Sequence, residues 1–240
     1  MAQEMSVTVT RSESGSVNLP ARGVLERAEV FGRRIPFTLS TVAMIALAGW
    51  LTNTANGVQL GARAIARVGF APSDTTSFDL VRAVMSAFVT NGPFAFWLAI
   101  GSTAALAGFV EWRAGSVRAS IAFWGSHLIV IALSWILLAP LHLTGDATAR
   151  LLYVARDVGP SAGYVGCLGY LLFGLGGRVR WLVLASGFVI LAGMLAFALR
   201  GVATEPAEVS AALSHFLALL VGFALGALTR PKQAAPAQGA

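Results

Sequence analysis

The run Gly159-Pro160-Ser161-Ala162-Gly163-Tyr164-Val165-Gly166-Cys167-Leu168-Gly169-Tyr170 decides how this chain folds. It opens an apolar block, residues 161–176, that is short and rich in glycine. Gly163, Gly166 and Gly169 recur at i, i+3 and i+6, a spacing that lets a second helix approach closely. Cys167 sits among apolar neighbours and reads as a packing residue. As the single cysteine of the chain it excludes an intrachain disulfide and any multi-cysteine metal site.

Outward from this run, five more apolar blocks stand at residues 36–53, 87–110, 119–141, 181–199 and 209–228. The second is broken near its start by Asn91-Gly92-Pro93. Only 12% of the 240 residues are charged, about half of what a soluble domain carries on its surface. Six spans of ~20 residues fit between polar ends. In lipid every backbone N–H and C=O must be satisfied within its own segment, and the runs are continuous rather than alternating. The expected fold class is therefore all-α: a polytopic membrane domain of six transmembrane helices over residues 36–229.

Residues 1–35 are rich in Ser, Arg and Glu and read as a mostly disordered tail, with room for a short interfacial helix at 24–31. No apolar run follows Met1, so no cleavable signal peptide is expected. Residues 230–240 are also expected to be disordered. Six spans place both ends on one side. That side would hold eleven of the seventeen basic residues and the other six, which predicts cytoplasmic termini. A charge of +6 in a soluble protein would suggest nucleic acid. Here the basic residues flank apolar spans and suit anionic lipid headgroups, and no nucleic-acid partner is expected. Sixteen arginines against one lysine, with abundant alanine, suggest a GC-rich bacterial genome and hence a bacterial cell membrane. Nothing in the sequence fixes an oligomeric state.

The long connection at residues 54–82 contains an amphipathic stretch, residues 60–70. It reads equally as an interfacial helix or as an ordinary loop with one or two helical turns. Arg156-Asp157, just before the glycine-rich run, reads as a local ion pair bracing the loop.

The fourth and sixth blocks run in the same direction across the membrane. Ser161 opens the fourth, and His215 lies about six residues, or ~9 Å, into the sixth. The two are expected at one depth, where His215 could act as base for a Ser161 nucleophile. An ionisable residue inside a span suggests function by default, although a serine can serve only packing and a histidine can simply bond a carbonyl. The three histidines are dispersed, and neither a metal nor a cofactor is expected.

Gly159-Pro160-Ser161-Ala162-Gly163 with Gly166 and Gly169-Tyr170 resembles the serine motif of the rhomboid family of intramembrane serine proteases. Ser214-His215, with Gly222 and Gly226 following, is similar to that family's Ala-His segment in the sixth span. Phe109-Val110-Glu111-Trp112-Arg113-Ala114-Gly115-Ser116 resembles its Glu-x-Arg-x-Gly-Ser segment after the second span. The resemblance covers roughly residues 36–229. It implies a rhomboid-like six-helix bundle with Ser161 and His215 as catalytic dyad. It further implies that Gly159, Gly163 and Asn91 support the motif and the oxyanion, and that Gly166, Gly169 and Gly222 pack helices. Glu111 and Arg113 would be structural loop residues. Substrates would be single-span membrane proteins with helix-breaking segments.

The chain departs from the family pattern in the second span, where Ala95 and Ala99 stand at the family's His-x-x-x-Asn positions. Nearby Asn91 or Thr90 could substitute as oxyanion donor. Ala162 and Ala218 replace usual glycines, and the first connection lacks the Trp-Arg pair. Two further readings therefore stay open. One is an inactive rhomboid-like protein that binds transmembrane helices or lipids. The other is a transporter, against which stand the few charged residues in the spans and the lack of an inverted repeat.

Overall fold

The computed structural model describes residues 34–74 and 77–229. The expected terminal tails and the helix at 24–31 lie outside the described residues, apart from Arg34 and Ile35. Nine helices follow in order: α1 (Pro36–Leu51), α2 (Ala62–Val68), α3 (Ser77–Met85), α4 (Pro93–Ala114), α5 (Ser116–Leu143), α6 (Ala147–Val154), α7 (Ser161–Phe173), α8 (Gly177–Ala198) and α9 (Pro206–Thr229). Among the described residues the only β pairing is an isolated antiparallel bridge, Phe70 with Asp157.

Among the described residues four helices are long and apolar enough to cross a membrane: α4, α5, α8 with the turn that extends it to Gly201, and α9. The other two expected spans form as shorter apolar helices, α1 with 16 residues and α7 with 13. The second apolar block starts its helix later than its hydropathy suggests. Pro93 occupies the first helical position, where its missing N–H costs nothing and its φ suits the helix. Residues 87–92 before it are turn and loop, and a separate helix, α3, which the hydropathy did not single out, ends ahead of them at Met85. The stretch at 60–70 contains the two-turn helix α2, none of whose residues is buried.

Two distant contacts organise the bundle. The first is at the start of α1, where no side chain of its own caps the helix. The Glu111 carboxylate does this instead, accepting Phe37 N–H at 2.8 Å on Oε1 and Thr38 N–H at 2.7 Å on Oε2. Ser116 Oγ donates to Oε1 at 2.6 Å. A carboxylate at a helix N-terminus satisfies orphan N–H groups and meets the positive end of the dipole. Glu111 is 1% exposed, so these bonds are shielded from water. Glu111 and Arg113 both lie on the last turn of α4 rather than in a loop. Arg113 stacks over Phe109 at 5.4 Å.

The second contact joins α7 to α9. A methyl on Gly222 would overlap the carbonyl of Gly166, and one on Gly169 would overlap that of Leu219. A methyl on Gly226 would come within 2.8 Å of Phe173 Cβ. The opposite side of α7 meets α5 just as closely: Gly163 lies under the Phe123 ring and Gly166 against Ser126. Both α4 and α5 carry a five-residue π-helical segment at the level of this packing, Thr103–Ala107 and Ile121–Gly125. Phe123 belongs to the second. By contrast, α8 buries none of its residues and rests on α9 through Trp181–Phe223 and Phe188–Phe216 ring contacts.

Gly222→Ala is expected to lower stability by ~1–3 kcal/mol, because the added methyl meets backbone that cannot rotate away. Gly193→Ala, with nothing within 4 Å of the new methyl, should be neutral or slightly stabilising, since alanine favours helix by up to ~1 kcal/mol. Glu111→Ala should cost roughly 2–4 kcal/mol by stranding two buried N–H groups. Thermal unfolding in detergent checks all three, and equal effects at Gly222 and Gly193 would refute the first.

Candidate active site

Ser161 is the first residue of α7, reached through a sharp backbone turn. Gly159 adopts φ +127°, in a region L side chains rarely occupy. Its N–H donates to Ser86 O at 2.7 Å, which ties the turn to the chain after α3. Pro160 precedes the helix and offers no side-chain cap. The first N–H groups of α7 are therefore left without a capping side chain.

His215 sits on α9 and lines the same cleft as Ser161, a cavity of about 420 Å³. The tight α7–α9 packing lies deeper along both helices, at Gly166, Gly169 and Gly222. It fixes the distance between the two helices beneath the pair. Among the described residues no hydrogen bond joins Ser161 to His215. His215 Nε2 is buried and without a hydrogen-bond partner among the described residues. Catalytic bonds are often long or unformed until substrate arrives. Asn91 lines this cleft as well, with Gly159 beside it. The side chain of Asn91 is exposed, and its carbonyl accepts Leu60 N–H at 2.8 Å. Thr90 is buried, with its hydroxyl turned to Thr54 at 3.4 Å. Ala95 and Ala99 also face the cleft. Gly163 lies against Phe123.

The other histidines do different work. His127 Nε2 lies 2.8 Å from Ala83 O and holds α3 against α5. His142 stacks on Tyr153 at 4.5 Å. No group of three or more His, Cys, Asp or Glu among the described residues could hold a metal ion.

The expected Arg156–Asp157 pair does not form. Arg156 grips Asp74 with both nitrogens, at 2.6 and 2.8 Å, and also donates to Gly69 O at 2.9 Å. The Phe70–Asp157 bridge explains why. Its two backbone bonds, 3.1 and 2.9 Å, hold this segment extended, and successive side chains of extended chain point to opposite sides. Arg156 therefore turns to the 69–74 loop and Asp157 turns into the protein.

Asp157 is the site residue that the sequence did not reveal. It lines the cleft with Ser161 and His215. It also lines a second, smaller cavity of about 40 Å³, shared with Ser161, His127 and Ser214. Burial pushes its carboxyl up to about 6, against the Val158 N–H bond at 2.8 Å on Oδ1 that favours the anion. The signal that could have found it was weak: one acid four residues before the serine, hidden by an adjacent arginine.

No family model, curated protein or solved structure matches this chain. The functional reading therefore rests on the geometry.

The raised Asp157 pKa has a consequence for stability. The folded state holds this proton more tightly than the unfolded chain, whose carboxyl titrates near 3.8. The contribution is fully present below that value and is lost as pH rises through about 6. Asp157→Asn removes the cost of a buried anion. Its Tm advantage over the parent protein should grow from pH 4.5 to pH 7.5, by an amount worth at most ~3 kcal/mol. A difference that stays flat across that range would show that Asp157 is not titrating in this window.

Proposed function

We propose that this chain is a rhomboid-like intramembrane serine protease, crossing a bacterial cell membrane six times with both termini in the cytoplasm. The observation that carries it is the shared cleft of Ser161 and His215, with an unpartnered Nε2 on the histidine. In this reading α1 and α7 are the first and fourth crossings. At 13 residues α7 spans ~20 Å of a ~30 Å hydrocarbon core. Ser161 then lies below the membrane surface, and the cleft supplies water to it.

The chemistry follows from these groups. Ser161 Oγ attacks the scissile carbonyl of a substrate helix that has locally unwound, and His215 Nε2 takes the hydroxyl proton. The negative oxygen of the tetrahedral intermediate is held by the uncapped N–H groups opening α7, with the Asn91 side chain as a second donor. Collapse breaks the C–N bond, and the same proton passes from His215 to the leaving amine. Water then attacks the acyl-enzyme with His215 as base. The acid product is released and Ser161 regains its hydrogen.

Ala95 and Ala99 favour a second reading. They line the cleft where the family places polar side chains, and one lost oxyanion donor costs roughly 10²–10³ in rate. A chain with this fold and no activity would bind transmembrane helices or lipids.

A fluorophosphonate probe separates the two. The purified protein should be labelled, and Ser161→Ala and His215→Ala should abolish labelling. Absence of labelling, with no cleavage of a co-expressed single-span substrate, would leave the binding reading.

A further inference from the structure

The end of the bundle opposite the cleft is basic, and the described chain does not balance it. Glu111 joins the end of α4 to the start of α1. Arg118, in the first turn of α5, donates from Nε at 3.3 Å to the carbonyl of Thr229, the last residue of α9. Thr229 Oγ1 donates to the Tyr170 hydroxyl of α7 at 3.3 Å. Arg180, at the start of α8, stacks at 5.0 Å over Phe173, the last residue of α7. Six helix ends therefore meet, and they bring Arg34, Arg113, Arg118, Arg178 and Arg180 to one end of the molecule. Glu111 is the one acid there among the described residues, and its oxygens are taken by Phe37, Thr38 and Ser116. No ion pair among the described residues involves any of the five arginines.

A groove of about 540 Å³ opens at this end, lined by Gly115, Ser116 and Arg118 of the α4–α5 turn and by Thr229 of α9. The Arg118 guanidinium is fixed in its wall. Nε holds the Thr229 carbonyl, and Nη1 holds that of Ala114, the last residue of α4, at 3.2 Å. These bonds use two of the five N–H donors of a guanidinium, and neither partner carries a full charge. The remaining donors form the planar fork that suits phosphate oxygens. Val117 and Ile121 line the same groove and are 74% and 36% exposed. They lie at the start of a span, where a bilayer supplies acyl chains. The groove thus has one cationic part and one apolar part, and a ligand that satisfies both has an anionic head and an apolar tail.

We propose that this groove seats the headgroup of an anionic phospholipid, with Arg118 holding the phosphate and the acyl chains running along α5 past Val117 and Ile121. The inference needs only that the helices cross a bilayer, and it stands whether or not the cleft is catalytic. In the orientation proposed above this end faces the cytoplasmic leaflet, whose anionic lipids attract arginines near the surface. The other four arginines do not line the groove. They draw anionic lipid to this end, and Arg118 gives it a place. A bound headgroup braces the guanidinium that already grips the last carbonyls of α4 and α9.

The test uses the full chain in dodecyl maltoside micelles, with Tm followed as phosphatidylglycerol, phosphatidylcholine or sodium phosphate is titrated in. Phosphatidylglycerol should raise Tm by about 5 °C at saturation, because a ligand of the folded state stabilises it by mass action. Phosphatidylcholine should give less than about half of that rise, since its headgroup carries no net charge, and sodium phosphate none. Arg118→Ala should raise the midpoint of the phosphatidylglycerol titration at least about tenfold, the loss of one charge-assisted fork. Arg118→Lys keeps the charge without the fork and should fall between Arg118→Ala and the parent. Val117→Glu leaves the Arg118 bonds in place, puts an anion in the groove at an exposed position, and should raise the midpoint at least about fivefold. Arg200→Gln, at the cleft end, should stay within about twofold of the parent. The readout is the lipid midpoint, so a lower baseline Tm in a variant does not mimic the effect, and Val117→Glu carries the test where Arg118→Ala fails to fold.

A midpoint that Val117→Glu and the Arg118 variants leave unchanged would show only general attraction to a basic end and would overturn the seat. An equal rise with sodium phosphate would make the groove a phosphate site and overturn the lipid. No rise with phosphatidylglycerol, the result if a second copy or another protein segment filled the groove, would overturn it as well. None of these outcomes touches the labelling of Ser161, so this inference and the protease reading fail separately.

Discussion

Gly222 of α9 lies so close to Gly166 of α7 that a methyl on it would overlap the Gly166 carbonyl. In lipid the hydrophobic effect gives little drive for helices to associate, so close van der Waals contact must hold them. Small residues make that contact possible, and here they act on both faces of α7. One face meets α9 through Gly166 and Gly169, and the other meets α5 through Gly163 and Gly166. A 13-residue helix is thereby clamped between two long ones. Because α7 cannot slide or tilt freely, the residue at its head has a defined position, and that residue is Ser161.

The clamp fixes the deep half of the site, whereas the shallow half depends on polar contacts. Arg156, Asp74 and Arg82 link the segment before α7 to the connection that follows α1. His127 holds α3 from behind. These groups lie at the end of the bundle where helix packing gives way to loops. In a low-dielectric setting such bonds are strong when complete and costly when broken. Glu111 does at the opposite end of α4 what this network does near the cleft: it replaces a missing local cap with a contact from far along the chain.

Much of this was legible before any coordinates. The glycine spacing at 163, 166 and 169 pointed to close helix packing, because that inference needs only helical periodicity and side-chain size. The sharing of a cleft by Ser161 and His215 follows from the parallel direction of two blocks in the chain. What the sequence hid is equally instructive. Hydropathy placed residues 87–92 in a span, but they form a turn and loop between α3 and the helix that Pro93 opens. Arg156 and Asp157 looked like partners because they are neighbours. One backbone bridge from Phe70, 87 residues away, turns them to opposite sides. Long-range pairing of this kind leaves no periodic trace in a sequence.

Asp157 shows why such a residue matters to the reading of the whole cleft. A half-buried acid that is not paired with a cation is costly, and proteins usually dispose of the cost by holding it neutral or by surrounding it with donors. Here both occur: burial pushes its carboxyl up to about 6, and its Oδ1 accepts the Val158 N–H. A cation was available one residue away, yet the fold spends Arg156 on Asp74 instead. The acid thus stays at the cleft without a cation at its side, its Oδ1 held by the backbone of the next residue. Ala95 and Ala99 offer no polar group to the cleft, so its polar lining comes from Thr90 and Asn91 before α4, from Arg156 and Asp157 before α7, and from Glu208 and His215 on α9.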